Sequence, residues 1–292
     1  MTGTCKLCKK EGDLRESHIL PKFIGKWIKK TSITGYLREH NELDKRAQDT
    51  AKEYLLCAEC EILFSSWERN FANRIFYPFV DQNIDRANYT DWLAKFCASL
   101  SWRTLVFISS NNANEERSQD YIDQLESARI HLEKFLLGEV NNLNQYEQHL
   151  YPLDRIESTT DSGFPSNINR YFLRTTALDI VGNSKGTFVY TKFPKFILLG
   201  VISSRETSKM RSSRVALKQG KILPQTYQWP NGFAEYIKDK AKYVAETYKR
   251  IPQQHLDSFE EYIRKNPDKA SNSKLFEAFM HDYKMFGDDV FR

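Results

Sequence analysis

The chain has 292 residues, of which 40% are hydrophobic and 28% are charged, a composition typical of a globular protein. That length is large for one small core and predicts two domains. The longest apolar run, residues 196–202, suits a buried strand and is far too short for a membrane span. Residues 1–6 lack the apolar stretch of a signal peptide, so we expect a cytoplasmic protein with no membrane partner.

Two Cys-x-x-Cys pairs are the most informative feature of the chain. Cys5 and Cys8 form the first pair, and Cys57 and Cys60 form the second. Four cysteines in two such pairs are the usual ligand set for one tetrahedral structural zinc. The alternatives are two disulfides, which need an oxidising compartment, or four unrelated core cysteines; we favour zinc. The fifth cysteine, Cys97, lies in an apolar segment and is expected to pack in the core.

Positive charge is concentrated in two segments, although the formal net charge is only +5. Residues 1–30 contain eight basic and three acidic residues, and residues 203–221 contain six basic residues and one acidic residue. Such clusters favour binding to a phosphate backbone, with an ordinary solvated surface as the alternative. Trp27 either stacks on a base or packs in the core. The candidate nucleic-acid contacts are Lys22, Lys26, Lys29, Lys30, Arg205, Arg211 and Arg214.

A helix is predicted after Cys57, because apolar residues recur there at every fourth position. These residues are Leu63, Trp67, Phe71 and Ile75. The helix is expected to end at Tyr77 and Pro78. Glu61 and Glu68 fall on another face, where two carboxylates are suited to bind a hard cation such as magnesium. A solvated helix face is the alternative for both residues.

The rest of the chain predicts helices around a small sheet. A helix is expected from residue 91 to about 107, and a second one ends at Gly138. Residues 186–193 and 195–202 are predicted to be two strands of a β-hairpin, whereas residues 170–181 fit either a strand or a helix. Further helices are predicted around 233–248, 253–265 and 272–285. The fold class is therefore α+β, with a zinc-binding domain over 1–78 and a larger, mostly helical domain with a small antiparallel sheet over 79–292.

The segment around the two cysteine pairs resembles the HNH nuclease family. The matching stretches are Ser17-His18-Ile19-Leu20-Pro21 and Leu55-Leu56-Cys57-Ala58-Glu59-Cys60-Glu61. The resemblance covers residues 1 to about 75 and is strongest to the four-cysteine zinc branch, which includes phage junction-resolving endonucleases. It implies a treble-clef (ββα-metal) fold for this part of the chain.

The resemblance also implies roles for individual residues. His18 matches the general base that takes a proton from the attacking water. Glu61 matches the position of a metal ligand, and Glu68 is a second candidate for the same catalytic site. Ser17 stands where relatives usually carry an aspartate ligand, and it remains a candidate magnesium ligand. The Asn of the family name has no clear counterpart in this chain. The implied cofactors are structural Zn²⁺ and a catalytic Mg²⁺ or other divalent cation.

These features predict a metal-dependent endonuclease that hydrolyses phosphodiester bonds in DNA. By analogy with the family, we expect an effector of a bacterial defence or mobile-element system, with a protein partner that directs or restrains it. One alternative is a catalytically dead, zinc-stabilised nucleic-acid-binding module, consistent with Ser17 and the missing Asn. Another is an interaction subunit of a larger complex.

Overall fold

The computed structural model describes residues 1–39, 42–47, 50–111, 117–160 and 163–291. These residues form both helices and strands, which confirms a mixed fold with small antiparallel sheets. None of the helices in these ranges combines the length and the apolar composition needed to cross a membrane.

The N-terminal part is a small antiparallel sheet followed by a helix. Its elements are β1 (Thr2–Thr4), β2 (Glu11–His18), α1 (Lys22–Lys30), β3 (Leu37–Glu39), β4 (Glu42–Ala47), β5 (Lys52–Cys57) and α2 (Ala58–Phe71). The first sheet has the order β1-β2-β5, and β3 pairs with β4 in a separate two-stranded sheet. Thr2 lies opposite Asp13 in the first pair, and His18 lies opposite Lys52 in the second.

The helix after the second cysteine pair is longer than predicted. It continues from α2 through a π-helical segment, Ala72–Phe76, into α3 (Tyr77–Asp81). Pro78 is the second residue of α3, directly after the π-helical segment. The expectation that the helix ends at Tyr77 and Pro78 is therefore wrong.

The central part is built on one long helix and a four-stranded sheet. Its elements are β6 (Ala87–Thr90), α4 (Asp91–Asn111), α5 (Gln119–Leu137), β7 (Gln148–Pro152), α6 (Ile168–Arg174), β8 (Ala177–Asn183), β9 (Gly186–Phe193), β10 (Phe196–Ser204) and β11 (Gln219–Ile222). The four-stranded antiparallel sheet has the order β7-β10-β9-β8, and β11 pairs with β6. The predicted hairpin is thus confirmed as β9 and β10. The segment 170–181, which fitted either structure, contains the end of a helix and the start of a strand.

The C-terminal part is helical, as predicted. It contains α7 (Phe233–Tyr248), α8 (Gln253–Lys265), α9 (Pro267–Ser271), α10 (Lys274–Phe286) and a short 3₁₀ segment, Gly287–Phe291. The buried carboxylate of Asp282 on α10 accepts hydrogen bonds from the backbone N–H groups of Asn169 (2.7 Å) and Arg170 (3.1 Å). Asp282 therefore caps the N-terminus of α6, and α10 is attached to the central part through this contact.

One hydrophobic cluster extends from the N-terminal sheet into the central part. Phe71 of α2 stacks on Phe96 of α4 with ring centroids 4.1 Å apart, and it also contacts Phe193 and Phe196 of the hairpin. Helix α4 is buried along most of its length because it packs against both α2 and the four-stranded sheet. The N-terminal part thus shares its apolar core with the rest, and a division at residue 78 stays a prediction.

Candidate metal centre and surrounding residues

The four predicted zinc ligands converge on one point. The sulfur atoms of Cys5, Cys8, Cys57 and Cys60 all lie within 4.8 Å of one another. The sulfurs of Cys8 and Cys57 are 3.8 Å apart. Zinc bonded tetrahedrally to sulfur at about 2.3 Å requires sulfur atoms about 3.8 Å from each other. None of the five cysteines is joined in a disulfide in the structure, and the convergence of four of them fits a structural zinc.

Local backbone structure places both cysteine pairs. In the first, the Cys5 carbonyl accepts a hydrogen bond from Lys9 N–H (3.0 Å) and the Cys5 N–H donates to the Lys10 carbonyl (2.9 Å), and Lys9 has a φ of 62°. The resulting tight turn brings Cys5 and Cys8 to the same side. In the second pair, Cys57 is the residue that precedes α2 and Cys60 lies in the first turn. The ends of one short turn and one helix thus meet at the metal centre.

Burial and backbone hydrogen bonds act in opposite directions on the pKa values of the clustered thiols. Burial raises the pKa of both Cys8 and Cys60. Burial acts in the same direction on Cys5, but backbone N–H groups, led by that of Cys57, outweigh it and lower the pKa of Cys5 to about 7. The Cys57 nitrogen lies 3.4 Å from the Cys5 sulfur. Because thiolates are the ligand form, metal binding displaces protons and strengthens as the pH rises.

His18 lies at the end of β2, opposite Lys52, whereas Cys57 lies opposite Leu14, four residues earlier on the same strand. The residue is half-buried, and its carbonyl oxygen accepts a hydrogen bond from Arg103 Nη1 at 2.9 Å. The neighbouring Ser17 is only 1% exposed, and its hydroxyl donates to the Arg15 carbonyl oxygen at 3.4 Å. Glu16, which precedes Ser17, forms an ion pair with Lys52 at 3.2 Å. Because Ser17 is buried, its hydroxyl oxygen is poorly accessible to a hydrated cation.

Glu61 and Glu68 lie in different surroundings on α2. Glu61 is half-buried on the turn directly after Cys60. Glu68 forms an ion pair with Arg103, with its Oε1 atom 2.8 Å from Nη1. Within the described ranges, the four cysteines are the one group of three or more His, Cys, Asp or Glu residues whose ligand atoms converge. His18, Glu61 and Glu68 therefore form no preassembled three-ligand cation site, and their catalytic roles stay predictions.

Helix α1 presents lysines on its outer face and is held by the core on its inner face. Lys22, Lys26 and Lys30 are exposed, whereas Lys29 is half-buried. Trp27 is 5% exposed, and its indole N–H donates to Asp81 Oδ1 at 2.8 Å. The core alternative for Trp27 is thus confirmed.

The buried Arg174 holds the C-terminal end of α1. Its Nη2 donates to the Ile28 carbonyl at 2.9 Å, and its Nη1 donates to the Thr31 hydroxyl at 2.5 Å. The guanidinium carbon also lies over the Trp27 ring, 4.8 Å from its centroid. These contacts give the lysine face of α1 a fixed direction.

The second basic segment is partly neutralised. Arg205 and Arg211 are exposed, whereas Arg214 pairs with Glu147 at 3.0 Å. The buried Glu206 pairs with Lys209 at 3.1 Å. Less positive charge is therefore available to a phosphate backbone here than the residue count indicates.

Arg103 is a residue that sequence reasoning missed. It lies within the buried part of α4, and its Nη1 atom contacts two residues of the N-terminal part, His18 and Glu68. A single arginine within an apolar helical segment was the available signal, because long cationic side chains are seldom fully buried without a partner. Nothing in the local pattern identifies which residues it contacts.

Comparisons of the chain with protein-family models, with curated proteins and with solved structures find no match.

Proposed function

We propose that this protein is a metal-dependent endonuclease with a zinc-stabilised treble-clef module at its N-terminus. One observation carries the proposal: the strand that ends in His18 pairs directly with the strand that ends in Cys57. A metal ion bound by the four cysteines would hold β2, β5 and the start of α2 in a fixed relation. His18 and Glu61 would then be presented by one rigid scaffold, as catalysis requires.

The proposed roles follow from the chemistry of the two side chains. His18 accepts the proton of the attacking water through an imidazole nitrogen as the water oxygen bonds to phosphorus. The P–O bond to the departing sugar oxygen breaks in the same displacement, and that oxygen takes a proton from solvent water. The Glu61 carboxylate would bind a hydrated divalent cation, for which one or two protein carboxylates suffice. When bound, magnesium supplies positive charge opposite the developing charge on the phosphate oxygens. The solvent-facing lysines of α1, which begins four residues after His18, neutralise the phosphate backbone of DNA next to the site.

A second candidate function is a zinc-stabilised nucleic-acid-binding module without catalysis. The burial of Ser17 and the ion pair of Glu68 favour it, because both reduce the oxygen ligands open to a cation. In this case the lysine face of α1 binds the backbone, and the cysteine centre serves folding alone.

Glu61→Gln compared with Glu59→Gln tests the proposal. Glu59 lies on the same helical turn, but its side chain is 81% exposed and weakly paired with Lys10, at 3.7 Å, so it is a matched control. The assay measures plasmid cleavage as a function of magnesium concentration. We expect Glu61→Gln to lower the rate and to raise the magnesium concentration required, and Glu59→Gln to behave as wild type.

Two results would argue against the proposed enzyme. Equal rates and equal magnesium dependence in both variants would remove Glu61 from the site. A wild-type protein that binds DNA in a salt-dependent manner but never cleaves it would support the second candidate.

A further inference from the structure

A single guanidinium group connects the two elements on which the proposed nuclease site depends. Arg103 Nη1 donates to the carbonyl oxygen of His18, at the end of β2, and also contacts Glu68 on α2. The distances are 2.9 Å and 2.8 Å, and the side chain of Arg103 is only 4% exposed. One buried nitrogen on the central helix α4 thus holds both elements.

The surroundings of Arg103 fix its position further. The guanidinium carbon lies over the Phe64 ring, 5.3 Å from its centroid, and Phe64 packs edge-on against Trp102 with centroids 5.9 Å apart. The Nε and Nη2 atoms of Arg103 are buried and have no hydrogen-bond partner among the described residues. A buried cation with one ionic partner is a poor source of stability, because desolvation offsets the attraction. The contribution of Arg103 is therefore geometric more than energetic.

We propose that Arg103 is a positioning residue for the nuclease site and that Glu68 is its counter-ion instead of a magnesium ligand. This inference rests on the proposed function, since His18 and Glu61 are the groups that it positions. Arg103 fixes the carbonyl of His18 and so sets where β2 ends relative to α2. The position of His18 relative to α2, and so to Glu61, is thereby fixed.

Arginine suits this task better than lysine. Its planar group can stack on Phe64 while Nη1 donates a hydrogen bond to the His18 carbonyl and pairs with the Glu68 carboxylate. A lysine side chain is shorter and its ammonium has no plane to stack. Lysine would nevertheless keep the charge opposite Glu68. Arg103→Lys is therefore the conservative variant, and Arg103→Met removes the charge, the hydrogen bond to His18 and the ion pair with Glu68 at similar length.

The test compares plasmid cleavage by Arg103→Lys, Arg103→Met, Glu68→Gln and the double variant Arg103→Met/Glu68→Gln. Zinc content and the unfolding midpoint are measured for each protein. A misplacement of about 1 Å can lower the rate about 10²-fold. We expect a loss of that size in Arg103→Met. In Arg103→Lys we expect the rate to fall by less than about tenfold. Glu68→Gln should keep its magnesium dependence. The double variant should regain stability, because no uncompensated charge remains, but not rate.

NMR of the histidine side chains supplies a readout that does not need activity. The imidazole signals of His18 should shift in Arg103→Met and not in Arg103→Lys, while those of His131 stay unchanged. Shifted His18 signals without cleavage by any protein would contradict the proposed function and support the positioning role.

Two outcomes would overturn the inference about Arg103. The first is wild-type cleavage with an unaltered rate and unaltered His18 signals in Arg103→Met. The second is a rate that recovers together with stability in the double variant, which would reduce Arg103 to charge compensation.

Discussion

Replacing Cys57 by serine should remove the metal and destabilise the N-terminal sheet. Serine is a favourable residue before a helix, so this substitution preserves the capping position at the start of α2. Structural zinc contributes about 10–16 kcal/mol of apparent binding free energy in small sites, which is roughly 2.5–4 kcal/mol for each of four ligands. Because the ion dissociates, we expect the free energy of unfolding to fall by at least that amount.

Cys97→Ala is the matched control for this prediction. Cys97 is buried in α4, away from the metal centre, and burial raises the pKa of its thiol. Its replacement removes one buried atom and should cost about 1 kcal/mol while leaving the metal content unchanged.

The assay measures zinc per chain by elemental analysis and backbone hydrogen exchange in β1, β2 and β5. We expect one zinc in wild type and in Cys97→Ala, with exchange accelerated only in Cys57→Ser. Helix α2 should stay protected near Phe71, because that residue packs on α4. A full zinc complement in Cys57→Ser would refute the assignment of the ligands.

Two further predictions concern the α1 surface and the C-terminal part. Replacing Lys26, Lys29 and Lys30 together by alanine should weaken binding to DNA of any sequence. The slope of log K against log salt should fall by about 0.9 for each phosphate that is no longer neutralised. Titrations at several salt concentrations measure the slope, and an unchanged slope would identify an ordinary solvated surface. Asp282→Ala should lower the free energy of unfolding, measured with denaturant, by about 3–5 kcal/mol. The reason is that Arg170, whose Nε lies 2.8 Å from the carboxylate, loses its buried partner. A change below about 1 kcal/mol would show that this cap contributes little.

Features with a short sequence spacing were predictable from the chain. Each Cys-x-x-Cys pair forms its own turn, so the spacing alone indicates chelation, and the sulfur atoms indeed converge. The β9–β10 hairpin was predictable for the same reason, because two apolar strands separated by a short turn pair locally.

Features that depend on distant partners were not predictable. Residues 170–181 fitted two structures because α6 is only about two turns long and is capped by Asp282, more than a hundred positions away. Glu68 was expected to face a cation on the basis of helix spacing. Its partner in the structure is Arg103, which no local pattern places next to it. The burial of Trp27 likewise depends on Asp81 and Arg174, on two other helices.

The most direct test of the account is the rate of plasmid cleavage by His18→Ala with magnesium present. His131→Ala is the control, because His131 lies on α5, where its Nε2 is 3.0 Å from the Asn142 carbonyl oxygen. A general base contributes about 10²–10⁴ in rate. We predict that His18→Ala loses activity by a factor of that order while it keeps one zinc per chain and the wild-type unfolding midpoint, and that His131→Ala cleaves as wild type does. Equal cleavage by both variants would contradict the assignment of His18 as the base and, with it, the proposed nuclease site.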